Sequence, residues 1–356
     1  MSFRLLLLPL FALLAACNSG SQTYEQQGYV FGTLVEVTIY GEDEARAKAG
    51  ITAVMQEFQR LHDKLHAWRP SELSELNVAI AQGKSKAVSP ELAAMLQDAA
   101  RVSAQSDGLF DPAIGGLIQA WGFQADDFKA VLPDGKKIAA LVKANPQMSD
   151  LAFTPALPSA GLSHGNGDVV VGSRNRAVKI DLGGYAKGYA LDRAADILKQ
   201  QGIRNALINI GGNVLALGQH GSRAWRIGIQ HPRKPGPLAT LELHDGEAIG
   251  TSGDYQRFFE LGGKRYCHLI DPRTGYPVQG VQAVTILTHG AKAGLLSDES
   301  SKPLFISGVQ GWLAAAQKMH LDEALLVDDQ GAVHLTAAMQ KRLKFADEST
   351  VRKIEP

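Results

Sequence analysis

The sequence predicts an α+β fold in which mixed sheets pack against helices. Before residue 122, most apolar residues recur at helical spacing, whereas after residue 168 short β-like runs dominate. Two of these later runs flank the pair Gly262-Gly263, a turn that is typical of antiparallel hairpins. Because helices, strands and hairpins are mixed along the chain, the pattern favours α+β over a doubly wound parallel sheet.

The chain begins with a segment that has the features of a secretory signal. Arg4 precedes an apolar run over residues 5–14, and Leu14-Ala15-Ala16-Cys17 is a small-residue cleavage site that ends in cysteine. The apolar run is shorter than the roughly 20 residues that a membrane-spanning helix needs. We therefore predict a lipoprotein signal peptide over residues 1–17 and lipid on Cys17. An ordinary signal peptide or a single membrane anchor is the alternative.

Lipid on Cys17 places the mature chain on the periplasmic side of the bacterial inner membrane, while the outer membrane stays open as a second location. The polar residues after the cysteine predict a tether over 18–27. A domain is predicted over 28–345, followed by a C-terminal tail over 346–356.

The composition limits the possible partners and cross-links. The chain has 36 basic and 36 acidic residues, so its net charge does not indicate a nucleic-acid partner. Its 37 glycines and 45% apolar residues are typical of a loop-rich α/β protein with a substantial core. The sequence contains two cysteines, and if Cys17 carries lipid, Cys267 has no disulfide partner and is expected to be buried.

The elements follow from periodicity and capping signals. The first part of the domain predicts a strand over Val30–Tyr40 and helices over Glu42–Leu65, Pro90–Ser106 and Asp111–Trp121, with Ser89 as the N-cap of the second helix. Residues 124–167 predict a peripheral excursion without site chemistry. The later part predicts strands over Val169–Val171, Ala177–Ile180, Ala206–Ile210, Val214–Gly218, Trp225–Gln230, Leu238–Leu243, Ala248–Thr251, Phe258–Leu261, Lys264–His268 and Val281–Thr288, helices over Ala291–Ser301 and Val309–Met319, and a hairpin of Ala324–Val327 with Ala332–Leu335.

The stretch DLGGYAKGYA over residues 181–190 has the composition of an anion site. It follows a β-like run and opens an amphipathic helix, so two glycines and Lys187 lie at or near the N-terminus of that helix. Helix N-termini offer unpaired N–H groups and a partial positive charge, and glycines let a phosphate approach the backbone. The alternative is a tight strand-to-helix turn with an exposed lysine.

Four further motifs accompany this stretch: GLFDP at 108–112, INIGGN at 208–213, GTSGDY at 250–255 and HLIDPRTGYP at 268–277. In this order and at these separations, the five motifs resemble the ApbE family of FAD:protein FMN transferases over roughly residues 28–340. Members of that family are periplasmic lipoproteins that attach FMN covalently to other proteins.

The resemblance implies a mixed fold of two α/β lobes with the flavin site between them. It implies that an acceptor threonine or serine attacks the FMN-side phosphorus of FAD and that AMP leaves. The implied acceptors are flavoprotein subunits of sodium-translocating NADH:quinone reductase, Rnf-type or related electron-transfer complexes. Contacts with FAD are implied for Phe31, Trp68, Leu109, Phe110, Asp111, Asp181, Lys187, Asn209, Thr251 and Ile270. For the aromatic residues among them, core packing is the alternative.

The resemblance also implies a Mg²⁺ ion that bridges phosphate oxygens. The implied ligands are the carboxylate of Asp298, the backbone carbonyl of Gly184 and a threonine hydroxyl four residues after the aspartate. Here that last position is Lys302, whose ammonium group cannot bind a metal. Either Ser301 or water replaces the missing ligand, or Lys302 supplies positive charge to the phosphates and the metal dependence is weaker. For Asp298, a solvated helix residue is the alternative.

His268 is the candidate general base, because a neutral imidazole can take a proton from the acceptor hydroxyl at periplasmic pH. The alternative is that His268 and Asp271 hold the following turn together. Arg273 and Thr274 in that turn either touch phosphates or stabilise the turn.

Three functions remain open at this point. The first is the Mg²⁺-dependent transferase, with Asp298 and His268 in the reaction. The second is an FAD pyrophosphatase that uses water in place of the acceptor hydroxyl and releases FMN and AMP. The third is a flavin-binding lipoprotein without catalysis, for which substitution of Asp298 by alanine would remove no activity.

Overall fold

The computed structural model describes residues 22–125, 127, 129–155 and 167–355. The predicted signal peptide, including Cys17, lies outside the described residues. The helices are α1 Glu44–Leu65, α2 Glu72–Ala81, α3 Pro90–Gln105, α4 Gly115–Ala120, α5 Gly135–Ala144, α6 Ala186–Gln200, α7 Ala293–Lys318 and α8 Ala337–Arg342, with a 3₁₀ turn at Met148–Asp150. The strands are β1 Thr23–Val30, β2 Thr33–Tyr40, β3 Lys86–Val88, β4 Leu151–Pro155, β5 Val169–Ser173, β6 Ala206–Ile210, β7 Asn213–Leu217, β8 Trp225–Gln230, β9 Pro237–Leu243, β10 Ala248–Gly253, β11 Phe258–Leu261, β12 Lys264–Cys267, β13 Ile270–Asp271, β14 Tyr276–Pro277, β15 Val281–Thr288, β16 Ala324–Asp328, β17 Val333–Thr336, β18 Lys344–Phe345 and β19 Arg352–Glu355.

A mixed sheet of nine strands is the centre of the described structure. Its order is β1-β2-β6-β7-β10-β15-β16-β17-β19. Neighbouring strands are antiparallel except β17 and β19, which are parallel. Smaller sheets are formed by β18-β9-β8 and β3-β5-β4, and two hairpins by β11-β12 and β13-β14. The prediction of an α+β fold with mixed sheets is confirmed.

The large sheet separates two hydrophobic cores. In β7, Leu215 and Leu217 belong to the core formed with α1, α3 and α6. Val214 and Ala216 belong instead to the core formed with β8 and β9. This division follows from the period of two along a strand, which directs successive side chains to opposite faces. The sheet therefore carries helices on one face and the β18-β9-β8 sheet on the other.

Some predicted boundaries are wrong. The predicted strand Val30–Tyr40 is a hairpin of β1 and β2, and β1 begins at Thr23, so residues 23–27 of the predicted tether are strand. Its side chains are mostly exposed because β1 is an edge strand, and this removes the apolar alternation that would have revealed it. The segment predicted as a strand over Ala177–Ile180 forms only an isolated bridge, between Lys179 and Ile114.

Other elements have no counterpart in the sequence prediction. Helix α2 has ten residues and a capping box made by Ser71 and Ser74, and strand β3 has three residues. The segment predicted as a C-terminal tail contains β19, which pairs with β17 at the edge of the large sheet. Of the helices in the described ranges, none combines the length and the apolar character that crossing a bilayer requires.

The two helices predicted at the end of the domain form one element with a break. Within α7, Gly308 has φ 66° and ψ −177°, which lies outside the helical region. Only glycine adopts such a backbone conformation without strain. The predicted separation into two helical segments is therefore confirmed, and the first segment extends beyond residue 301 up to this glycine.

Helices α6 and α7 cross in close contact because glycines lie at the crossing. A Cβ atom on Gly188 would lie 2.5 Å from the carbonyl O of Gly294. A Cβ atom on Gly294 would lie 2.7 Å from the Cβ of Leu191. Since real Cβ atoms do not approach other atoms so closely, any larger residue at either position forces the helices apart.

Each of these two helices also caps the other. Asp298 in α7 accepts a hydrogen bond of 3.0 Å from the amide of Gly188 in the first turn of α6. Asp192 in α6 accepts hydrogen bonds of 2.9 and 2.8 Å from the amides of Gly294 and Leu295 in the first turn of α7. Carboxylates at helix N-termini pair the free amides there and interact favourably with the helix dipole. The crossing therefore fixes the position of Asp298 relative to the glycine turn before α6.

We predict that Gly188→Ala destabilises the protein by about 3 kcal/mol, because the methyl group overpacks the crossing. The free energy of unfolding, measured by urea denaturation, checks this. Gly135→Ala is the matched control, because a Cβ on this helical glycine would meet nothing closer than 3.9 Å. We expect the control to change the stability by less than about 1 kcal/mol. Equal stability of the Gly188 variant and the wild type would contradict the close crossing.

Candidate active site

The carboxylate of Asp298 is the buried centre of the candidate site. Its side chain is 1% exposed, and the ammonium group of Lys187 lies 3.6 Å from Oδ1. The ammonium group of Lys302 contacts the same oxygen, and Oδ2 accepts the Gly188 amide. Burial acts to raise the pKa of Asp298, but the two lysines and the Gly188 amide together lower it below its usual value. The alternative of a solvated helix residue is wrong for Asp298.

Lys302 is fixed between Asp298 and the glycine turn that precedes α6. Its Nζ donates to the backbone carbonyl of Asp298 at 2.5 Å, in addition to its contact with Oδ1. Its Cε passes over Gly184, where a Cβ atom would lie only 3.1 Å away. Burial lowers the pKa of Lys302 to about 8, although the charge of Asp298 acts in the opposite direction.

The residues present do not fit the Mg²⁺ ion that the resemblance implies. Mg²⁺ needs oxygen ligands at about 2.1 Å in octahedral geometry, and an ammonium group can supply none. The ammonium group of Lys302 donates hydrogen bonds to both Oδ1 and the backbone carbonyl oxygen of Asp298. Ser301, the possible replacement ligand, donates to the Asp298 carbonyl at 2.8 Å and lies 2.7 Å from the hydroxyl of Ser252. At the predicted metal site of Gly184, Asp298 and Lys302, the ammonium group of Lys302 therefore lies on the oxygens that the ion would need.

The described ranges also offer no other metal centre of the usual kind. They contain no group of three or more His, Cys, Asp or Glu side chains that could hold a metal ion.

His268 lies close to the same cations. Its Nδ1 is 3.2 Å from the carbonyl O of Arg257, so in the neutral ring Nδ1 donates and Nε2 keeps its lone pair. Burial and the charges of Lys187, Arg257 and Lys302 lower the pKa of His268 to about 3. The imidazole is therefore neutral at neutral pH, and its Nε2 is available as a proton acceptor.

The turn after His268 is held by its own residues and not by the histidine. Asp271 pairs with the guanidinium of Arg273 at 2.7 Å, and the hydroxyl of Thr274 accepts the Tyr276 amide at 3.3 Å. Arg273 and Thr274 therefore stabilise the turn.

Ile270, predicted to contact the cofactor, is 2% exposed and belongs to a small apolar core with Trp121.

Asp181 connects the glycine turn to the segment that follows α4. Its Oδ1 accepts the Gly183 amide at 2.9 Å, and its Oδ2 accepts the side-chain amide of Gln124 at 2.8 Å. The guanidinium of Arg257 donates to the carbonyl groups of Phe123 and Ala125 at 2.9 and 3.1 Å. The start of the segment 124–167, predicted to carry no site chemistry, therefore contacts the glycine turn and Arg257.

Four aromatic rings form a continuous row that includes Phe31 and Trp68, two of the predicted FAD contacts. The ring of Phe31 lies 5.9 Å from that of His62, His62 lies 5.1 Å from His66, and His66 lies 4.5 Å from Trp68. Phe31 has a positive φ of 56°, and the next residue, Gly32, is adjacent to the side chain of Arg257. Trp68 is 37% exposed, so part of its indole is free to contact a ligand.

The three predicted contacts at residues 109–111 have different environments. Phe110 is 5% exposed and packs against the glycine turn, where its ring lies 3.4 Å from the position of a Cβ on Gly184. Asp111 accepts hydrogen bonds from the Ser103 hydroxyl at 2.7 Å and from the amides of Ala113 and Met148 at 2.9 and 3.1 Å. The carboxylate of Asp111 therefore has a structural role, because it binds groups of three neighbouring segments. Leu109 is half-buried.

Asn209 and Thr251 lie on the opposite face of the large sheet from Asp298. In β10, Ser252 contacts Ser301 in α7, and a Cβ on Gly250 would collide with the carbonyl of Ser297. The alternation along the strand therefore directs Thr251 away from α7.

Thr251 and Asn209 line a cavity of about 420 Å³ between the large sheet and β8. The structure thus divides the predicted flavin contacts into two groups.

Several site residues escaped the sequence reasoning. His62 and His66 lie four residues apart in the last turn of α1 and its C-cap, and this spacing was the signal that could have revealed them. Arg257 and Gln124 carry no local signal, because tertiary contacts alone bring them to the site.

Cys267 is a buried thiol. Burial raises its pKa to about 12, so no reactivity is expected of it.

Glu299 is a further buried carboxyl beside the site. It is 0% exposed, and within the described part of the chain neither of its side-chain oxygens has a hydrogen-bond partner. Burial and the charge of Asp98 raise its pKa to about 8. The protein therefore keeps this carboxyl protonated at neutral pH, next to the charged Asp298.

Comparison with known proteins identifies a family and several relatives. The model of the ApbE family matches residues 31–326. An FAD:protein FMN transferase of Rhodobacter capsulatus is 41% identical over 319 residues, covering 90% of this chain and 58% of that protein. An FAD:protein FMN transferase of Klebsiella pneumoniae is 31% identical, covering 92% of this chain and 96% of that protein.

Solved structures give the same result. An ApbE protein of Thermotoga maritima superposes with a TM-score of 0.78 at 29% identity, covering 90% of this chain and 99% of that one. The apo form of the Pseudomonas stutzeri flavinyl transferase ApbE gives a TM-score of 0.75 at 26% identity, covering 90% of this chain and 97% of that one.

We predict that Glu299→Gln weakens the dependence of stability on pH. The folded-state pKa of about 8 lies above the ordinary value of 4.5, so the folded state binds the proton more tightly than the unfolded state. The free energy of unfolding therefore falls as pH rises through this window. Glutamine has nearly the same shape as glutamate but does not ionise. The variant should therefore lack a pH-dependent decrease in the free energy of unfolding on the order of a few kcal/mol.

Urea denaturation of both proteins at pH 5, 7 and 9 measures this difference. Glu348→Gln is the control, since that side chain is 88% exposed and its loss should leave the pH profile unchanged. Parallel profiles for the wild type and Glu299→Gln would show that Glu299 is ionised in the folded protein.

Proposed function

The chain belongs to the ApbE family, and on this basis we propose that it is an FAD:protein FMN transferase. FAD is the donor, a threonine or serine hydroxyl of a flavoprotein is the acceptor, and AMP is the leaving group. The observation that supports this best is the cluster of Lys187, Lys302 and His268 beside the glycine turn at the start of α6. It combines positive charge with a neutral base, which suits a pyrophosphate and a hydroxyl nucleophile.

The proposed transfer replaces one P–O bond by another. The acceptor oxygen forms a bond to the FMN-side phosphorus, the bond from this phosphorus to the bridging oxygen breaks, and AMP leaves with the bridging oxygen. The hydroxyl proton moves to Nε2 of His268 and then to solvent. Lys187 and Lys302 stabilise the negative charge of the pyrophosphate, which is the main contribution that proteins make to this chemistry.

Substrate binding adjusts the basicity of His268 in this scheme. A pKa of about 3 makes the imidazole a weak base, and the charges of Lys187 and Lys302 contribute to that low value. Burial is the largest cause of the low pKa and persists when FAD binds, but a bound pyrophosphate neutralises the two lysine charges, so the pKa of His268 should rise in part. His268 is therefore expected to be a stronger base when FAD is bound than in the free protein.

The setting of the reaction is also part of the proposal. The sequence before residue 18 supports a lipid on Cys17 and a position on the periplasmic side of the membrane. The acceptors are then periplasm-facing flavoprotein subunits of electron-transfer complexes such as NADH:quinone reductase or the Rnf type. Mg²⁺ is not part of the proposed reaction, because Lys302 holds the position of the ion.

The test combines the mature chain over 18–356 with FAD and the soluble flavin-carrying domain of such a subunit. Flavin fluorescence on a denaturing gel reports covalent transfer, and chromatography reports AMP. A fluorescent band with an equal amount of AMP supports the transferase. AMP without a band would indicate a pyrophosphatase, and bound FAD without either product would indicate a flavin-binding protein without catalysis.

We predict that His268→Gln lowers the rate of transfer by about 10²–10⁴-fold, the usual contribution of a general base. The affinity for FAD should change by only a few-fold, because the imidazole acts on the acceptor hydroxyl. Initial rates of AMP release and fluorescence titration with FAD measure the two quantities. His289→Gln, which changes an exposed histidine, is the control and should retain the wild-type rate. A wild-type rate for His268→Gln would remove this residue from the mechanism.

A further inference from the structure

We propose that the ammonium group of Lys302 permanently takes the place of a divalent metal ion, so that this enzyme transfers FMN without Mg²⁺. The inference rests on the proposed function, because it concerns how the same site stabilises the pyrophosphate. It makes Lys302 a catalytic residue and not only a partner of Asp298.

The first support is the geometry around Asp298. Lys302 contacts both the Oδ1 and the backbone carbonyl of this residue, and Lys187 faces the same Oδ1 at 3.6 Å. Oδ2 is taken by the Gly188 amide at 3.0 Å. The carboxylate is therefore already surrounded by donors, and a metal ion could bind there only after an ammonium group had left.

The second support is that Lys302 has little room to leave. Its side chain is 11% exposed, and its stem lies against Gly184, where even a methyl group would approach Cε to 3.1 Å. Lys302 and Asp298 lie one turn apart on the same helix, so their separation is set by α7 itself. The cation is fixed before any ligand binds, which is the condition for efficient electrostatic stabilisation.

The third support is the charge that remains for a ligand. Lys187 and Lys302 contribute two positive charges and Asp298 one negative charge, which leaves one net positive charge beside the N-terminus of α6. With Lys187 counted as well, a divalent ion on the Asp298 carboxylate would leave two, so Lys302 supplies one positive charge fewer than the ion. An anionic pyrophosphate at this helix end therefore finds one net positive charge and the positive end of the α6 dipole without any ion from solution.

The first experiment compares the wild-type protein in EDTA and in Mg²⁺. We expect the rate of covalent transfer from FAD and the affinity for FAD to agree within about twofold between the two conditions. Mn²⁺ electron paramagnetic resonance in the presence of FAD should show no tightly bound ion. Loss of transfer in EDTA, or one tightly bound Mn²⁺ per chain, would overturn the proposal.

Two variants separate the charge of Lys302 from its bulk. Lys302→Met keeps the stem but removes the charge, and we expect at least a 100-fold loss of transfer that Mg²⁺ does not restore. Lys302→Thr opens the position and offers a hydroxyl, and we expect at least a tenfold increase of its transfer rate on addition of Mg²⁺, together with one bound Mn²⁺. Wild-type transfer by Lys302→Met would contradict the proposal. Circular dichroism checks that both variants are folded.

FAD affinity distinguishes failure of this inference from failure of the proposed function. If the wild type releases no product with any acceptor, the proposed function fails, but fluorescence titration with FAD still tests the role of Lys302. We then expect Lys302→Met to bind FAD about tenfold more weakly and Lys318→Met, on the exposed end of α7, to bind it normally. Tighter binding of FAD by the wild type in Mg²⁺ than in EDTA would overturn the inference.

Discussion

The close crossing of α6 and α7 is the constraint on which the site depends. Gly188 and Gly294 remove the side chains that would separate the helices, and this lets Asp298 reach the first turn of α6 and Asp192 the first turn of α7. Without these glycines the helices would pack at ordinary distance, and each carboxylate would lose the amides that it caps. The same contact that stabilises the helix pair therefore sets the distance between the carboxylate of α7 and the glycine turn before α6.

Burying Asp298 and Lys302 beside each other is costly, because desolvation of two charges can exceed their mutual attraction. A well-packed apolar pair would fold at least as well, so stability alone does not explain these residues. The neighbouring Glu299 avoids the same cost by remaining protonated, since nothing in the described ranges pairs with it. A charged pair held in place next to a neutral acid indicates that positive charge is needed at this point for a ligand.

The sequence was sufficient for the fold class and for the motifs that surround the site, because strand alternation, glycine turns and capping signals are local. It was not sufficient for β1, whose exposed edge position hides the apolar pattern, or for the association of Gln124 with Asp181 across 57 residues. The sequence also does not show on which face of the sheet each implied flavin contact lies. The strand period places Thr251 and Asn209 on the other face of the sheet from Asp298, and only the register of β10 against its neighbours decides that. Lys302 was recognised as a departure from the family pattern, but its pairing with Asp298 required coordinates.

An ammonium group and a magnesium ion solve the same electrostatic problem with different consequences. The ion brings two charges and open coordination positions that can follow the phosphate oxygens during transfer. Lysine brings one charge and three donors on a flexible stem, and the protein must supply the remaining stabilisation from Lys187 and the amides of α6. In return, the cationic group is part of the chain and does not depend on the supply of a metal ion in the medium. Because Asp298 orients Lys302 and caps α6 with the same carboxylate, the charge and the helix N-terminus are aligned by one residue.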